Sequence, residues 1–407
     1  MQRYESDIQS NYPREHHMSD IKHAISICLA VLVPLKFSSE VKQFLVENNL
    51  YQNKFRPQRV SEKLALPIQG NYENMTKEIS EKIPSLSAQI SIEEIMLEIN
   101  TPNLNPAQLM SSNISSWLED LGIFEQRSIL INYIPNKWEL LGDLALLPSN
   151  AFTQKEWIEV LSNCEETNKV QFWKVICDSL GVNRLGRQQP ISDDMMRTSQ
   201  VELLLGEGGW VELLDHGVHF GFDATKVMYS SGNVTERHRI GNIDMKDEIV
   251  IDAFAGIGYY SLPMLVRSNV KHLHACEINP NSIEALSWAA KKNNVSHKLT
   301  IHEGDNKIAL ANLRNISDRC HLGILPSSES VWKPALECLK SDGGWLHIHM
   351  NVAEEKISSW AKETISKLKI ISKELGRNWN IEVKNIEKVK WYAPRIRHVV
   401  LDVHCHL

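Results

Sequence analysis

The residues best suited to chemistry form a glycine-rich loop that follows an apolar run. Residues 249–251 are apolar, Asp252 follows them, and Gly256 and Gly258 come within the next six residues. Glycine allows a sharp backbone turn and close approach of a ligand, and the start of a following helix offers free N–H groups. The pattern predicts a cofactor site at the end of a buried strand.

Two classes of cofactor use this geometry. A dinucleotide site requires G-x-G-x-x-G, whereas this chain has Ser261 at the third position, and Asp252 would repel a pyrophosphate. The same acid would attract the amino group of a methionine moiety. The order Asp252, Phe254, Gly256, Gly258 resembles the first motif of S-adenosylmethionine-dependent transferases. We therefore prefer that cofactor to a nicotinamide.

Acidic residues at the ends of two later strands support this choice. Glu277 lies 25 residues after Asp252, a spacing that suits a carboxylate bound to ribose hydroxyls. Asp305 and Asn306 follow the third strand, where an aspartate can accept a hydrogen bond from the adenine amino group. Gly and Asp are also common in ordinary turns. Three such ends in register nevertheless favour S-adenosylmethionine.

The elements that must position these residues alternate between strand and helix from residue 240 onward. Strands are predicted at 248–253, 271–276, 298–303, 320–325 and 344–350, with a closing pair at 379–386 and 396–404. Helices are predicted at 258–267, 280–292, 331–340 and 353–373. This alternation predicts an α/β fold with a doubly wound, Rossmann-like sheet.

The chain before residue 240 divides less clearly. We expect a small N-terminal α/β unit over 1–70, an acidic and partly disordered linker over 71–126, an α+β RNA-binding domain over 127–240, and the catalytic domain over 241–407. Within the third segment, 128–134 is predicted as a strand and 153–180 as helices. Short strands at 201–205, 210–214 and 218–223 predict a β-meander.

Composition excludes several classes of protein. The chain has 407 residues, 43% of them hydrophobic, and a net charge of −6, which is ordinary for a globular protein and not typical of a strongly basic nucleic-acid binder. The longest apolar stretch, 24–35, is too short to span a bilayer, and the first residues lack a signal-peptide layout. The seven cysteines form no CxxC pair. We therefore expect no membrane contact, no metal site and a reducing, cytoplasmic location.

Five motifs occur in order along the chain, at 203–212, 229–239, 252–262, 274–280 and 322–329. Together they resemble the tRNA wybutosine-synthesizing protein 2 family. The resemblance covers about 128–407 well and 24–70 faintly. It implies transfer of the 3-amino-3-carboxypropyl group of S-adenosylmethionine to 4-demethylwyosine at position 37 of phenylalanine tRNA, next to the anticodon. Methylthioadenosine would be released.

The nearest alternative is a tRNA guanine-N1 methyltransferase that acts at the same position. Those enzymes resemble one another in an Asn-Leu-Pro or Asn-Pro-Pro element after the fourth strand. Residues 324–328 lack that asparagine and resemble the aminocarboxypropyl transferases. A third alternative is a non-catalytic tRNA-binding protein, although such a protein has no reason to keep a complete cofactor motif.

The resemblance also implies site residues. Arg237 would pair with the methionine carboxylate, or else form a salt bridge with Glu236 or contact a tRNA phosphate. Ser230 would bind the cofactor or serve as a turn residue, and Asp252 would bind the methionine amino group or cap the glycine loop. The full predicted set of cofactor-binding residues is Ser230, Arg237, Asp252, Gly256, Gly258, Glu277, Asp305, Asn306 and Pro326.

No residue is an evident general base, and the RNA contacts follow only from residue type. Histidine is the usual general base near neutral pH, but a lone histidine is more often structural. Lysine and arginine neutralise phosphates, and aromatic side chains stack on bases. The candidate bases are His216, His219, His238 and His302; the candidate RNA contacts are Arg184, Arg187, Arg197, Lys384, Lys388, Lys390, Trp391, Tyr392, Arg395 and Arg397.

Overall fold

A computed structural model describes residues 25–70, 74–86, 89–98, 105–189 and 199–407. The chain divides into two compact units, Met1–Asn105 and Pro106–Leu407. Within the described ranges, no helix combines the length and the apolar character needed to cross a bilayer.

The first unit is built on a four-stranded antiparallel sheet in the order β2-β3-β1-β4. Its core combines apolar side chains of the central strand, such as Val31 and Val33, with Phe44 and Leu45 of the first helix. Its elements are β1 (Ile25–Pro34), α1 (Ser38–Glu47), β2 (Gln58–Val60), β3 (Lys63–Pro67), α2 (Met75–Lys82) and β4 (Ser91–Glu98).

The prediction of a linker over 71–126 is wrong for most of that segment. Strand β4 pairs with β1 along its whole length and so completes the first sheet, and α3 (Pro106–Asp120) packs in the second unit. Two adjacent glutamates, Glu93 and Glu94, interrupt the apolar pattern of β4, which hides an edge strand from a search for alternation. Residues 71–73, 87–88 and 99–104 lie outside the described residues.

The second unit opens with helices packed around a small sheet in the order β5-β6-β7-β8. An aromatic cluster that includes Trp117, Phe152, Trp157 and Phe172 fills the core beside that sheet. Its further elements are α4 (Arg127–Asn132), β5 (Glu139–Leu141), β6 (Leu144–Leu147), α5 (Lys155–Asn163), α6 (Glu166–Leu180), β7 (Arg184–Gln188) and β8 (Val201–Leu205).

Two predictions in this region are wrong. The strand predicted at 128–134 is instead helix α4 up to Asn132, because a short apolar run fits either state and packing decides. Leu130 is buried, and its carbonyl accepts a hydrogen bond from the Trp157 indole at 3.0 Å. The expected meander is only a hairpin of β9 (Trp210–Asp215) and β10 (Val218–Asp223), since β8 pairs with β7.

The predicted parallel sheet is confirmed as a seven-stranded sheet in the order β13-β12-β11-β14-β15-β17-β16. Strands β11 to β15 pair in parallel, whereas β17 pairs antiparallel with both β15 and β16. The elements are α7 (Val234–Gly241), β11 (Ile249–Asp252), α8 (Ser261–Arg267), β12 (His272–Glu277), α9 (Pro280–Lys292), β13 (Leu299–Glu303), α10 (Asn306–Ala311), β14 (Arg319–Leu322), α11 (Trp332–Cys338), β15 (Gly343–Ala353), α12 (Ile357–Glu374), β16 (Asn380–Ala393) and β17 (Ile396–His406).

Strand order reverses on either side of β11, which lies between β12 and β14. In open α/β sheets such a reversal leaves a crevice at the carboxyl ends of the strands, where ligands bind. The glycine loop follows β11 directly, so the topology places it at this crevice.

Candidate functional site

A cavity occupies the crevice at the carboxyl ends of β11 to β14. It is mostly apolar and carries a few convergent polar groups, as cofactor sites do. Four of the nine predicted cofactor residues, namely Gly256, Glu277, Asp305 and Asn306, line it. The remaining lining residues are Val227, Met228, Ala253, Phe254, Tyr259, Cys276, Ile278, Ser282, Gly304, Gly323 and Ile324.

The glycine loop needs glycine at two positions for different reasons. Gly256 (φ 55°) lines the cavity and donates its N–H to Glu277 Oε2 at 2.7 Å. Gly258 (φ 93°) lies behind the cavity, where a Cβ atom would be 2.7 Å from side-chain atoms of both Leu262 and Leu286. Gly256 therefore shapes the ligand side of the loop, and Gly258 allows helices α8 and α9 to pack closely.

Three backbone amides hold the Glu277 carboxylate. Oε2 accepts from Gly256, and Oε1 accepts from Ile278 at 3.0 Å and from Asn279 at 2.8 Å. Burial raises the pKa of Glu277, while the bonds from Asn279, Gly256 and Ile278 act in the opposite direction. An ionised carboxylate offers about four lone-pair sites. Acceptor capacity on Oε2 is therefore left for a ligand hydroxyl.

The third strand end places an acid and an amide on the opposite side of the cavity. Asp305 caps α10 by accepting from the Lys307 N–H at 2.8 Å. Asn306 Nδ2 donates to the Ala253 carbonyl at 2.9 Å, which ties the end of β13 to the end of β11. Helix α10, six residues long, was not predicted; its capping aspartate is the signal that would have revealed it.

Asp252 is fully buried and does not line the cavity. Its Oδ2 accepts from the Ser261 hydroxyl at 2.7 Å, and its Oδ1 accepts from the Phe254 N–H at 3.2 Å. These bonds fasten the two ends of the glycine loop. The geometry matches the capping alternative for Asp252, and its contact with a methionine amino group stays a prediction.

Arg237 is also buried, at 1% exposure. Its guanidinium pairs with Asp215 at 2.8 Å, donates to the Ser230 carbonyl at 2.9 Å and donates to the Tyr229 hydroxyl at 3.1 Å. Burial opposes ionisation of Asp215, but His238 and Arg237 lower the pKa of that carboxyl. The partner of Arg237 is thus Asp215, which sequence spacing did not indicate.

Ser230 and Pro326 adjoin the cavity without lining it. The Ser230 N–H donates to the Tyr259 hydroxyl at 3.3 Å, two residues beyond the lining residue Met228. Pro326 follows a cis peptide bond two residues after the lining residue Ile324. The roles predicted for Ser230 and Pro326 remain predictions.

Tyr259 was missed by the sequence analysis. It lines the cavity, packs on Gly256, and its hydroxyl donates to the Met228 carbonyl. Burial raises the pKa of Tyr259 well above its usual range, so the hydroxyl stays protonated and keeps this donor. A tyrosine directly after the second loop glycine is the signal that could have identified it.

The candidate general bases lie elsewhere. Among the described residues that line the cavity there is no histidine. His216 stacks on His238 with ring centroids 4.2 Å apart, and His302 bonds to His274 at 3.0 Å. His219 contributes its backbone to bonds with Asn293. The structure brings none of these four candidates to the cavity.

The candidate RNA contacts separate into two groups. Arg184 is bound by Asp143 and two carbonyls, and Arg187 is bound by Glu202 at 2.7 Å, so both support the small sheet. Arg197 lies outside the described residues. The C-terminal candidates gather instead at the hairpin of β16 and β17.

One buried cluster has the composition of a metal site. Ligand atoms of Glu236, His321 and His349 lie within 4.8 Å of one another. Both Glu236 oxygens accept from Arg239, at 2.7 and 2.8 Å, and the Nε2 atoms of the two histidines are 3.1 Å apart. Arg239 therefore occupies both Glu236 oxygens, while His321 Nδ1 has no hydrogen-bond partner among the described residues. The absence of a metal from the reaction stays a prediction.

Comparison with known families places these features in context. Residues 127–209 match the model of the TYW2 N-terminal domain, and residues 212–382 match the model of the TRM5/TYW2 methyltransferase domain. The tRNA wybutosine-synthesizing protein 2 homolog of Danio rerio is 35% identical, with 80% of this chain and 83% of the relative covered. The Bos taurus homolog is 30% identical, with 93% and 96% covered.

A plant relative is longer. The tRNA wybutosine-synthesizing protein 2/3/4 of Arabidopsis thaliana is 40% identical over 82% of this chain. This chain spans 33% of the length of that protein and 28% of the rice one.

Solved structures agree with the fold. Pyrococcus horikoshii TYW2 in complex with MeSAdo is 29% identical, with a TM-score of 0.57 and coverage of 73% of this chain and 99% of the relative. M. jannaschii TYW2 in complex with AdoMet is 25% identical, with a TM-score of 0.51 and coverage of 66% and 99%. Pyrococcus abyssi Trm5b, at 21% identity and a TM-score of 0.61, shows the same fold.

Proposed function

The chain belongs to the tRNA wybutosine-synthesizing protein 2 family, and on this premise we propose that it transfers the 3-amino-3-carboxypropyl group of S-adenosylmethionine to 4-demethylwyosine at position 37 of phenylalanine tRNA. The observation that carries the proposal is the cavity at the reversal of strand order, with Glu277 fixed on the glycine loop. A TYW2 relative with MeSAdo bound supports release of methylthioadenosine.

The adenosine half of the co-substrate fits the polar groups of this cavity. Glu277 Oε2 keeps acceptor capacity for a ribose hydroxyl, and Asp305, which lines the same cavity, would accept from the adenine amino group. Phe254 and Ile278 supply apolar surface for the purine faces. The methionine half would then extend toward Met228 and Tyr259.

Chemically, the enzyme has to choose among three carbons that the sulfonium activates. Holding the γ-carbon of the methionine chain in line with the acceptor carbon selects aminocarboxypropyl transfer. The C–S bond breaks, its electron pair stays on sulfur, a C–C bond forms to the electron-rich ring, and the ring carbon loses its proton. Charge on sulfur is neutralised, so an apolar cavity favours the step.

The buried residues beside the cavity act through position. Arg237 and Tyr259 both bind the segment 228–230. Arg237 donates to the Ser230 carbonyl, while the Tyr259 hydroxyl donates to the Met228 carbonyl and accepts from the Ser230 N–H. Asp252 fastens the glycine loop. We propose that these contacts fix the wall against which the methionine chain lies. All seven cysteines are free, which supports a reducing, cytoplasmic location.

The test uses two labelled forms of S-adenosylmethionine, one labelled in the methyl group and one in the carboxyl group. Each is incubated with the purified chain and, in separate reactions, with tRNA that carries 4-demethylwyosine at position 37 and with tRNA that carries unmodified guanine there. Transfer of the carboxyl label alone, with methylthioadenosine as by-product, is the expected result. Transfer of the methyl label, with unmodified guanine at position 37 as acceptor, would establish the methyltransferase instead. Cofactor binding without transfer of either label would favour the non-catalytic alternative.

A further inference from the structure

The hairpin of β16 and β17 reaches the edge of the proposed active site. A Cβ atom on Gly232 would lie 2.6 Å from Lys390 Nζ, so the lysine side chain of β16 packs against the segment that follows Met228. Lys390 pairs in register with His398 of β17. The end of this hairpin therefore borders the chain segment that lines the cavity.

Two large aromatic side chains are exposed at this end. Trp391 is 53% exposed and Tyr392 is 60% exposed. Neighbouring residues on a regular strand point to opposite faces, but the register of β16 shifts between Lys388 and Lys390 and again between Trp391 and Ala393. These irregularities leave both rings in solvent. Two adjacent exposed aromatic side chains of this size indicate a binding surface.

The charged residues at this end of the hairpin are all basic. Residues 388–397 contain four cations and no acid. Glu354 neutralises part of it by pairing with Lys388 at 2.7 Å and Arg397 at 2.9 Å. Within the described part of the chain, Lys390 has neither a carboxylate partner nor a hydrogen bond to its ammonium group. Burial and nearby Arg237 lower the pKa of Lys390, which an anion at this position would reverse.

Arg397 and Trp391 already form a cation–aromatic stack. The guanidinium carbon lies 3.7 Å from the centroid of the indole ring, and the two residues are paired across the strands. A guanidinium held in this way extends the flat surface of the ring, and its two NH₂ groups remain available for phosphate while Nε donates to Glu354. The combination of flat rings and unopposed cations matches single-stranded nucleic acid and not an apolar protein surface.

We propose that this hairpin end, residues 388–397, binds unpaired RNA nucleotides next to the base that enters the cavity. Trp391 and Tyr392 stack on bases, while Lys390 and Arg395 contact phosphates. The proposal rests on the proposed function for the identity of the RNA. Unpaired bases expose their faces to such stacking, whereas bases in a helix do not. The surface therefore selects a loop over a stem.

The experiment measures RNA affinity separately from transfer. Labelled anticodon stem-loop of phenylalanine tRNA is titrated with the full chain and with Trp391→Ala, Tyr392→Ala and Phe124→Ala. Phe124 is the matched control because it is 63% exposed and lies outside the hairpin. Each hairpin variant should weaken binding by about fivefold to 100-fold, while Phe124→Ala and the affinity for S-adenosylmethionine stay unchanged. A duplex RNA of equal length should bind all four proteins alike.

A second variant tests the phosphate contact. Lys390→Gln should lower the slope of log affinity against log salt by about one. Equal affinity of all proteins for the stem-loop, or equal losses for stem-loop and duplex, would overturn the proposal. A hairpin variant that alters oligomeric state but not RNA affinity would overturn it too and assign the surface to a protein. Because RNA binding is read without catalysis, failure of the proposed transfer reaction leaves this result interpretable.

Discussion

Glu277 supports the glycine loop and, in the proposed site, also offers an acceptor to the ligand. The carboxylate accepts three backbone N–H bonds, and one of them comes from Gly256 in the loop after a different strand. It therefore links the ends of β11 and β12 before any ligand arrives. The loop geometry and the ligand acceptor depend on the same two oxygen atoms.

Glu277→Gln is the corresponding prediction. The amide has one acceptor oxygen in place of two, so it loses a charge-assisted bond and brings an NH₂ group against backbone donors. Loss of about 1.5–3 kcal/mol predicts affinity for S-adenosylmethionine weaker by roughly tenfold to 100-fold, measured by calorimetry. Glu284→Gln on α9, an exposed residue, is the control. Unchanged affinity in Glu277→Gln would remove this carboxylate from the binding site.

Gly258 carries a different kind of constraint. Gly258→Ala places a methyl group 2.7 Å from Leu262 and Leu286 at a positive φ. Gly122→Ala imposes a comparable backbone cost, since φ is 73°, but meets nothing within 4 Å. We expect Gly122→Ala to lower the free energy of unfolding by about 1 kcal/mol and Gly258→Ala by about 1–3 kcal/mol more, measured in urea. Equal losses would show that packing at Gly258 is loose.

At the scale of elements, a row of polar side chains crosses the central sheet beneath the cavity. Asp252, His321, His349 and His398 lie on β11, β14, β15 and β17, and the histidine nitrogens are joined at 3.1 and 2.9 Å. Each neutral histidine has one donor and one acceptor nitrogen. The two bonds between the three histidines use four of their six ring nitrogens. The other two, His321 Nδ1 and His398 Nδ1, are buried without a hydrogen-bond partner, and His321 Nδ1 lies 3.7 Å from Asp252 Oδ1.

This row makes stability depend on pH. Burial lowers the pKa of His398 to about 4, with Lys390 and His321 adding to the effect, and lowers the pKa of His349 well below its usual range. The unfolded chain binds protons near pH 6.5 and the folded chain does not. Each histidine thus contributes stability that is complete above about pH 6.5 and is lost as pH falls toward the folded value.

The measurable consequence is a slope in the free energy of unfolding plotted against pH. Between pH 6.5 and about 4, His398 should lower the free energy of unfolding by up to about 1.4 kcal/mol per pH unit. His398→Asn removes that share of the slope, whereas His297→Asn, on an exposed residue, leaves the slope unchanged. Urea unfolding from pH 7 to pH 4.5 provides the measurement. Parallel curves for His398→Asn and the unchanged chain would show that His398 is protonated in the fold.

The sequence predicted the elements that local patterns encode, and the contacts between distant residues lay beyond its reach. Strand–helix alternation and the glycine loop located the crevice and four of its lining residues. The pairing of Arg237 with Asp215 depends on the β9–β10 hairpin returning to α7, which no spacing indicates. The histidine row joins four strands separated by up to 146 residues in sequence, from Asp252 to His398.

At the scale of the whole molecule, the two units have separate cores. The buried apolar clusters that include Val31 and Cys28 contain only residues of the first unit. Those that include Val211, Ile251 and Met110 contain only residues of the second. Among the described residues, none of the three sheets of the second unit includes a strand from the first. The described cavity residues all belong to Pro106–Leu407. Folding and cofactor binding of the second unit should therefore be independent of the first.

A chain that begins at Pro106 tests this independence. We expect it to unfold at the same temperature as the second unit does in the full chain, because its sheets keep their own cores, and to bind S-adenosylmethionine with an affinity within about twofold of the full chain. The measurements are thermal unfolding by circular dichroism and calorimetric titration of both proteins. If the shortened chain folded but lost cofactor affinity, the first unit would have to contribute to the site through contacts beyond the described cavity residues.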